Sequence, residues 1–173
     1  MKLGSLLRIL LLLPVLLACI LPRAPATSEA PIVDAGVDQS PAPESFTLIL
    51  PHPSQGDLPA LLAAHAQRAA ELNRKPFVEF SADWCPPCLR LAESLGDPRM
   101  VEAFRGVYLI RLDFDEWKSR LGSTGFIVLG VPTFFELGPD GRSTGRTITG
   151  AAWGADIPEN MAPVLQGFFR GSR

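Results

Sequence analysis

The run Pro76-Phe77-Val78-Glu79-Phe80-Ser81-Ala82-Asp83-Trp84-Cys85-Pro86-Pro87-Cys88 decides how this chain is read. Its first part is a short apolar segment of strand type, and its end delivers two thiols at i and i+3. Two cysteines so spaced on the first turn of a helix are close enough to form a disulfide. The helix dipole and the free N–H groups of that turn favour a thiolate. Cys85, at the mouth of the turn, is expected to be the exposed nucleophile, and Cys88, one turn in, the buried resolving thiol.

Other uses of a cysteine pair fit less well. A structural zinc site takes about four ligands. Elsewhere the chain offers only His52, His65 and Cys19, none at the spacing of a second ligand pair, so no metal site is expected. A c-type haem needs His after the second cysteine, and position 89 is Leu. A purely structural bridge across so short a loop does little to the entropy of the unfolded chain. A redox-active dithiol remains, with the Cys85–Cys88 disulfide itself as the redox group and no separate cofactor.

At 173 residues and 47% hydrophobic composition the chain is one domain plus extensions, with enough apolar surface for a proper core. The formal net charge is −2, and without Lys2 and Arg8 the count is 14 basic residues against 18 acidic. That leaves no basic footprint for nucleic acid. Three cysteines are too few for disulfides to hold the fold together.

The N-terminus reads as an export signal: Lys2 and Arg8 lead into the apolar stretch Ile9 to Leu21, which is short of the roughly 20 residues of a spanning helix. The stretch carries Leu16-Leu17-Ala18-Cys19, which resembles the lipobox of bacterial lipoproteins, although Leu17 is a less usual residue at its position. The rival is ordinary signal cleavage after Ala24-Pro25-Ala26, which would discard Cys19. The lipoprotein reading is preferred, because a cysteine closing an apolar leader is rarely an accident. Residues 22–45 are rich in Pro, Ala, Ser, Asp and Glu and lack hydrophobic periodicity, the composition of a tether. The expected organisation is a lipoprotein-type signal peptide over 1–18, a tether over 19–45 and a folded domain over 46–173. The expected location is the periplasm, with the membrane held through Cys19.

Within the domain, Phe46 to Leu50 reads as a strand. Asp57 caps a helical pattern through about Asn73, with Leu58, Leu61, Leu62, His65, Ala69 and Leu72 on one face. His65 is expected to be a packing residue. Gly96 stops the Cys-bearing helix, and Asp97-Pro98 starts a short one through Phe104. Val107 to Phe114 is the next strand. Thr133 to Leu137 and Arg146 to Thr149 make a hairpin around Gly138-Pro139-Asp140-Gly141, and Pro158 to Phe169 a final helix. This order predicts an α/β fold, a central mixed β-sheet with helices on both faces.

From Phe46 to Phe169 the chain resembles the thioredoxin family, through Trp84-Cys85-x-x-Cys88, Val131-Pro132 followed by Thr133-Phe134-Phe135, and Gly150 after the last strand. The resemblance implies the thioredoxin fold, with a cis proline at Pro132 against the disulfide. It also implies substrate binding at Trp84, Val131 and Pro132, the backbone of Val131 pairing with a bound strand. The residues alone say only that Val131-Pro132 lies in a loop between two apolar runs. Glu79 stands where thioredoxins carry a buried acid, and so becomes the candidate proton acceptor for Cys88. An apolar strand would raise its pKa by destabilising the charged form, whereas simple alternation would turn it to solvent. Arg111 falls where many thioredoxins place a lysine; an arginine there can pair with the acid but cannot relay its proton.

Phe46-Thr47, Ala82-Asp83-Trp84-Cys85 and Asp97-Pro98 are similar, in the same order, to the periplasmic C-terminal domain of the DsbD-type transmembrane thiol reductases. This sequence lacks their electron-carrying membrane segment and their N-terminal partner domain, so a separate membrane electron donor is expected. Only 43 residues separate Cys88 from Pro132, which leaves no room for the helical insertion of DsbA-type oxidases. Pro86 and Pro87 have no N–H to offer the Cys85 sulfur and bring no cation. Strong oxidases have a thiolate pKa of about 3.5 and a potential near about −120 mV, against about 7 and about −270 mV for thioredoxins. The expected function is therefore an exported thiol:disulfide oxidoreductase, a monomer reducing disulfides of periplasmic client proteins. The alternatives are a thiol oxidase or isomerase, or a non-catalytic module binding extended peptides beside Pro132.

Overall fold

The computed structural model describes residues 45–171. The expected signal peptide, the lipidation site Cys19 and the tether up to residue 44 lie outside the described residues.

Five strands form one sheet: β1 (Thr47–Ile49), β2 (Lys75–Ser81), β3 (Val107–Asp113), β4 (Thr133–Leu137) and β5 (Ser143–Thr149), in the order β1-β3-β2-β4-β5. β1 and β2 both run parallel to β3, while β4 is antiparallel to β2 and β5 to β4. The helices are α1 (Leu58–Glu71), α2 (Pro86–Ser94), α3 (Pro98–Ala103), α4 (Phe114–Trp117) and α5 (Pro158–Arg170). The expected mixed sheet with helices on both faces is what the chain builds. Among the described residues no helix is long and apolar enough to cross a membrane.

Period-two alternation along the strands divides the core between the two faces. Phe77, Leu109 and Phe134 pack with Leu91 of α2, Met100 of α3 and Leu165, Phe168 and Phe169 of α5. Val78, Phe80, Ile110 and Leu112 pack on the other face with Leu58, Leu62 and Ala69 of α1 and Trp117 of α4. Burying each of the Val, Leu, Ile, Met and Phe side chains among them contributes about 1.5–3 kcal/mol. The β4–β5 turn closes on Gly141, whose φ of 76° suits glycine and where a Cβ would stand 2.4 Å from the Ala63 backbone nitrogen. The hairpin can therefore lie directly on α1.

Three details depart from expectation. α1 ends at Glu71, so Leu72 is its C-cap and is exposed rather than on the buried face. β5 begins at Ser143, three residues early, because backbone pairing to Leu137 extends an edge strand through a polar segment that has no alternation. α4 was not anticipated. Asp113 caps it by accepting from the Glu116 N–H at 3.0 Å, an Asp-x-x-Glu start signal present in the sequence. His65 does pack as expected, its Nδ1 2.9 Å from the Tyr108 hydroxyl.

Candidate functional site

β2 ends at Ser81 and the chain turns so that Cys85 becomes the N-cap of α2. Pro86 and Pro87 occupy the first two helical positions, where a fixed φ is already suitable and no N–H is needed for the helix ladder. The Cys88 N–H is thereby the one in reach of Cys85, and it donates to Cys85 Sγ at 3.2 Å. The two cysteines are joined as a disulfide, with their Cα atoms 5.3 Å apart.

The expected contrast between an exposed and a buried thiol is not found in this oxidised form: Cys85 is 3% exposed and Cys88 1%. Ala82 and Val131 pack against the pair. What distinguishes them is position. Cys85 Sγ lies 3.5 Å from the carbonyl oxygen of Val131, at the edge where the groove begins, whereas Cys88 sits one turn deeper in α2.

The Val131-Pro132 bond is cis, as the resemblance implied. The Gly150 N–H donates to the Pro132 carbonyl at 2.9 Å, and a Cβ on Gly150 would stand 3.1 Å from Pro132 Cδ. Glycine there lets the end of β5 close on the proline. Beside them opens a groove of about 500 Å³, lined by Pro87, Leu129, Val131, Pro132, Ala151 and Asp156 among others. Leu129, which lines the groove, is 94% exposed, and Trp84, next to Cys85 in the chain, is 64% exposed. Isolated exposed apolar residues are ordinary, but a cluster beside a groove marks a contact surface.

Glu79 is fully buried on β2, which removes the reading that turned it to solvent. Its cross-strand neighbour in register is Arg111 on β3, whose Nε donates to Glu79 Oε2 at 2.8 Å. Burial pushes the carboxyl above its ordinary value; the charge and hydrogen bond of Arg111 pull the other way without cancelling it. Glu79 Oε1 and Arg111 Nη2 are both buried and unpartnered. Such a carboxyl takes up a proton more readily than an ordinary one, and the arginine fixes its orientation without offering a proton of its own.

Three functional neighbours escaped the sequence reading. The Trp84 indole donates to Asp115 Oδ2 at 2.5 Å, which tethers an otherwise free ring beside Cys85. Arg90 and Asp156 join α2 to the segment after β5. Neither contact has a local signature, since the partners are 31 and 66 positions apart. The capping signal at Asp113 would have placed Asp115 on α4. Among the described residues no group of three or more His, Cys, Asp or Glu side chains is arranged to hold a metal ion.

A family model described as Thioredoxin matches residues 62–162, more than half of the chain. No curated protein sequence matches it. Among solved structures, a disulphide isomerase from Xylella fastidiosa is similar with 20% identity over 70% of this chain and 95% of that one, at a TM-score of 0.51. Trxlp from Edwardsiella tarda shares 21% identity over 72% and 99%, TM-score 0.45. Thioredoxin from Trichomonas vaginalis shares 27% over 59% and 84%, TM-score 0.41.

Proposed function

Because this chain belongs to the thioredoxin family and is a thiol:disulfide oxidoreductase through Cys85 and Cys88, we propose that it works outside the cytoplasm as a reductant of disulfides in exported proteins. The observation that carries the reducing direction is the sparse stabilisation of the Cys85 sulfur. Apart from the helix dipole it receives one N–H, that of Cys88, because Pro86 and Pro87 have none. A thiolate so lightly stabilised leaves the dithiol a good electron donor.

In the reduced chain the Cys85 thiolate attacks a substrate disulfide at the Val131-Pro132 edge. A Cys85–substrate disulfide forms and the second substrate sulfur leaves as a thiolate. Glu79 takes the Cys88 proton, directly or through water, and the Cys88 thiolate attacks Cys85 Sγ. The Cys85–Cys88 disulfide forms, the remaining substrate sulfur departs, and two electrons have passed to the substrate. Trp84 and Val131 bound the place where the substrate strand lies. Each cycle leaves the chain oxidised, so a separate two-electron donor must restore it. The similarity to DsbD-type domains favours a membrane-bound donor, and a lipid on Cys19 would hold the domain near it.

The test is the potential of the Cys85/Cys88 couple, read by equilibration with glutathione. A value near about −270 mV is expected, and one near about −120 mV would assign the chain to thiol oxidation instead. Reduction of a protein disulfide must also disappear in Cys85→Ser. Retained binding of extended peptides with no turnover in the parent chain would favour a non-catalytic module.

A further inference from the structure

Gly150 to Ile157 joins β5 to α5 and forms one wall of the groove beside Pro132. Two side chains hold it. The Trp153 indole is 4% exposed and packs near Phe134, ring centroids 6.5 Å apart. Asp156 receives Nε and Nη2 of Arg90 on Oδ2, at 3.1 and 2.5 Å, and the Trp153 N–H on Oδ1 at 3.0 Å. Arg90 stands on α2, two residues beyond Cys88, so one carboxylate ties the wall to the helix that carries the thiols. The Asp156 side chain is only 12% exposed, which makes this charge-assisted pair stronger than one on open surface.

We infer that Arg90 and Asp156 are a specificity-determining pair, which fixes the groove wall and keeps it electrically neutral, so that the groove takes disulfides flanked by extended, uncharged apolar segments. The inference rests on the reading of this groove as the substrate site. Among the described residues lining it, Asp156 is the one that carries a charge; the others include Pro87, Leu129, Pro132 and Ala151. Both of its oxygens are engaged, so it presents no free anion to a substrate. Partial burial pushes this carboxyl up, but Arg90 and the Trp153 N–H outweigh burial and hold it below the ordinary carboxylate value. Asp156 is thus an anion at neutral pH, and the guanidinium of Arg90 bonded to it cancels its charge where a client would lie.

The pre-reduced chain should be mixed with three extended peptides that each contain one disulfide and differ only in acidic, uncharged or basic flanking residues. The two thiols become a disulfide and the peptide disulfide becomes two thiols, so each second-order rate constant reads one encounter. Asp156→Asn leaves the Arg90 cation uncompensated and should raise the acidic-to-basic rate ratio about fivefold at low salt, an effect that shrinks as salt is added. Arg90→Gln should move the ratio the other way, and the double variant should return it close to the parent value. Damage to packing alone would slow all three peptides together and leave the ratio fixed; that outcome overturns the inference. A parent chain oxidised by none of the peptides would refute the oxidoreductase reading itself, and the pair's role with it.

Discussion

Arg111 Nε donates to Glu79 Oε2 at 2.8 Å across the β2–β3 register, and the partner atoms Glu79 Oε1 and Arg111 Nη2 are buried with nothing to bond. A half-satisfied buried pair is costly and is a poor stabilising device. Its value here is chemical, because a carboxyl held by one arginine contact inside an apolar sheet keeps a raised pKa and an orderly direction.

That relationship fixes a pH dependence. The folded pKa of Glu79 lies above its ordinary value of 4.5, so the native state binds the proton more tightly than the unfolded chain. The stabilisation this gives is fully present below pH 4.5 and is lost as pH rises through the folded pKa, with a slope of at most about 1.4 kcal/mol per pH unit. Gln cannot titrate. Denaturant unfolding of Glu79→Gln and the parent across a pH series should therefore show the variant gaining relative stability as pH climbs above 4.5. Parallel curves would mean that the buried carboxyl is not titrating in that range.

The fold was legible where periodicity and punctuation agree. Asp97-Pro98 marked α3, the apolar run from Phe77 to Phe80 marked a strand, and Gly138 to Gly141 marked the hairpin turn. The candidate site was half legible, since Cys85, Cys88, Pro132 and Glu79 stand in or beside recognisable patterns. The rest depends on contacts between distant positions: Trp84 with Asp115, Arg90 with Asp156, and Cys85 with the Val131 carbonyl. No local signal reports how deeply a thiol is covered, and so the exposure assigned to Cys85 from its place at the helix mouth did not hold.

The dipeptide between the thiols offers a direct handle on direction. Pro87 occupies the second position of α2, beside the groove and one residue from Cys88. Replacing it by His adds a cation near Cys85 Sγ and should lower the thiol pKa. Stabilising the reduced form in this way moves the potential in the oxidising direction, by about 30 mV for each factor of ten squeezed out of the equilibrium with glutathione. An unchanged or more reducing couple would show that the N–H and charge supply at the sulfur does not set the potential.

Leu16-Leu17-Ala18-Cys19 makes membrane anchoring an expectation that fractionation can test. The chain expressed in a bacterial host should sediment with membranes, and Cys19→Ser should release it to the soluble fraction. One acyl chain binds only marginally, but the several chains of a lipoprotein hold firmly. Parent protein that is soluble and begins at Thr27 would establish ordinary signal cleavage instead.

The division of labour between the thiols can be read from what each variant traps. Cys85 Sγ borders the groove at Val131 and accepts the Cys88 N–H, so after reduction it is the sulfur placed to meet a substrate disulfide. Cys88 lies a turn further into α2 and is 1% exposed. Cys88→Ser should therefore accumulate mixed disulfides with client proteins, because the first attack still occurs and its resolution cannot. Cys85→Ser should accumulate almost none, since its remaining thiol is covered and lacks the N-cap position. Glu79→Gln should leave the first attack nearly intact and slow resolution, by roughly 10²-fold if proton removal from Cys88 limits it, with the largest loss at pH values above the folded pKa of Glu79, where the parent carboxylate is free to take the proton. Non-reducing gels of the two serine variants, exported from living cells, carry the decision. Equal trapping by both, or trapping by Cys85→Ser alone, would exchange or remove the roles given to the two sulfurs.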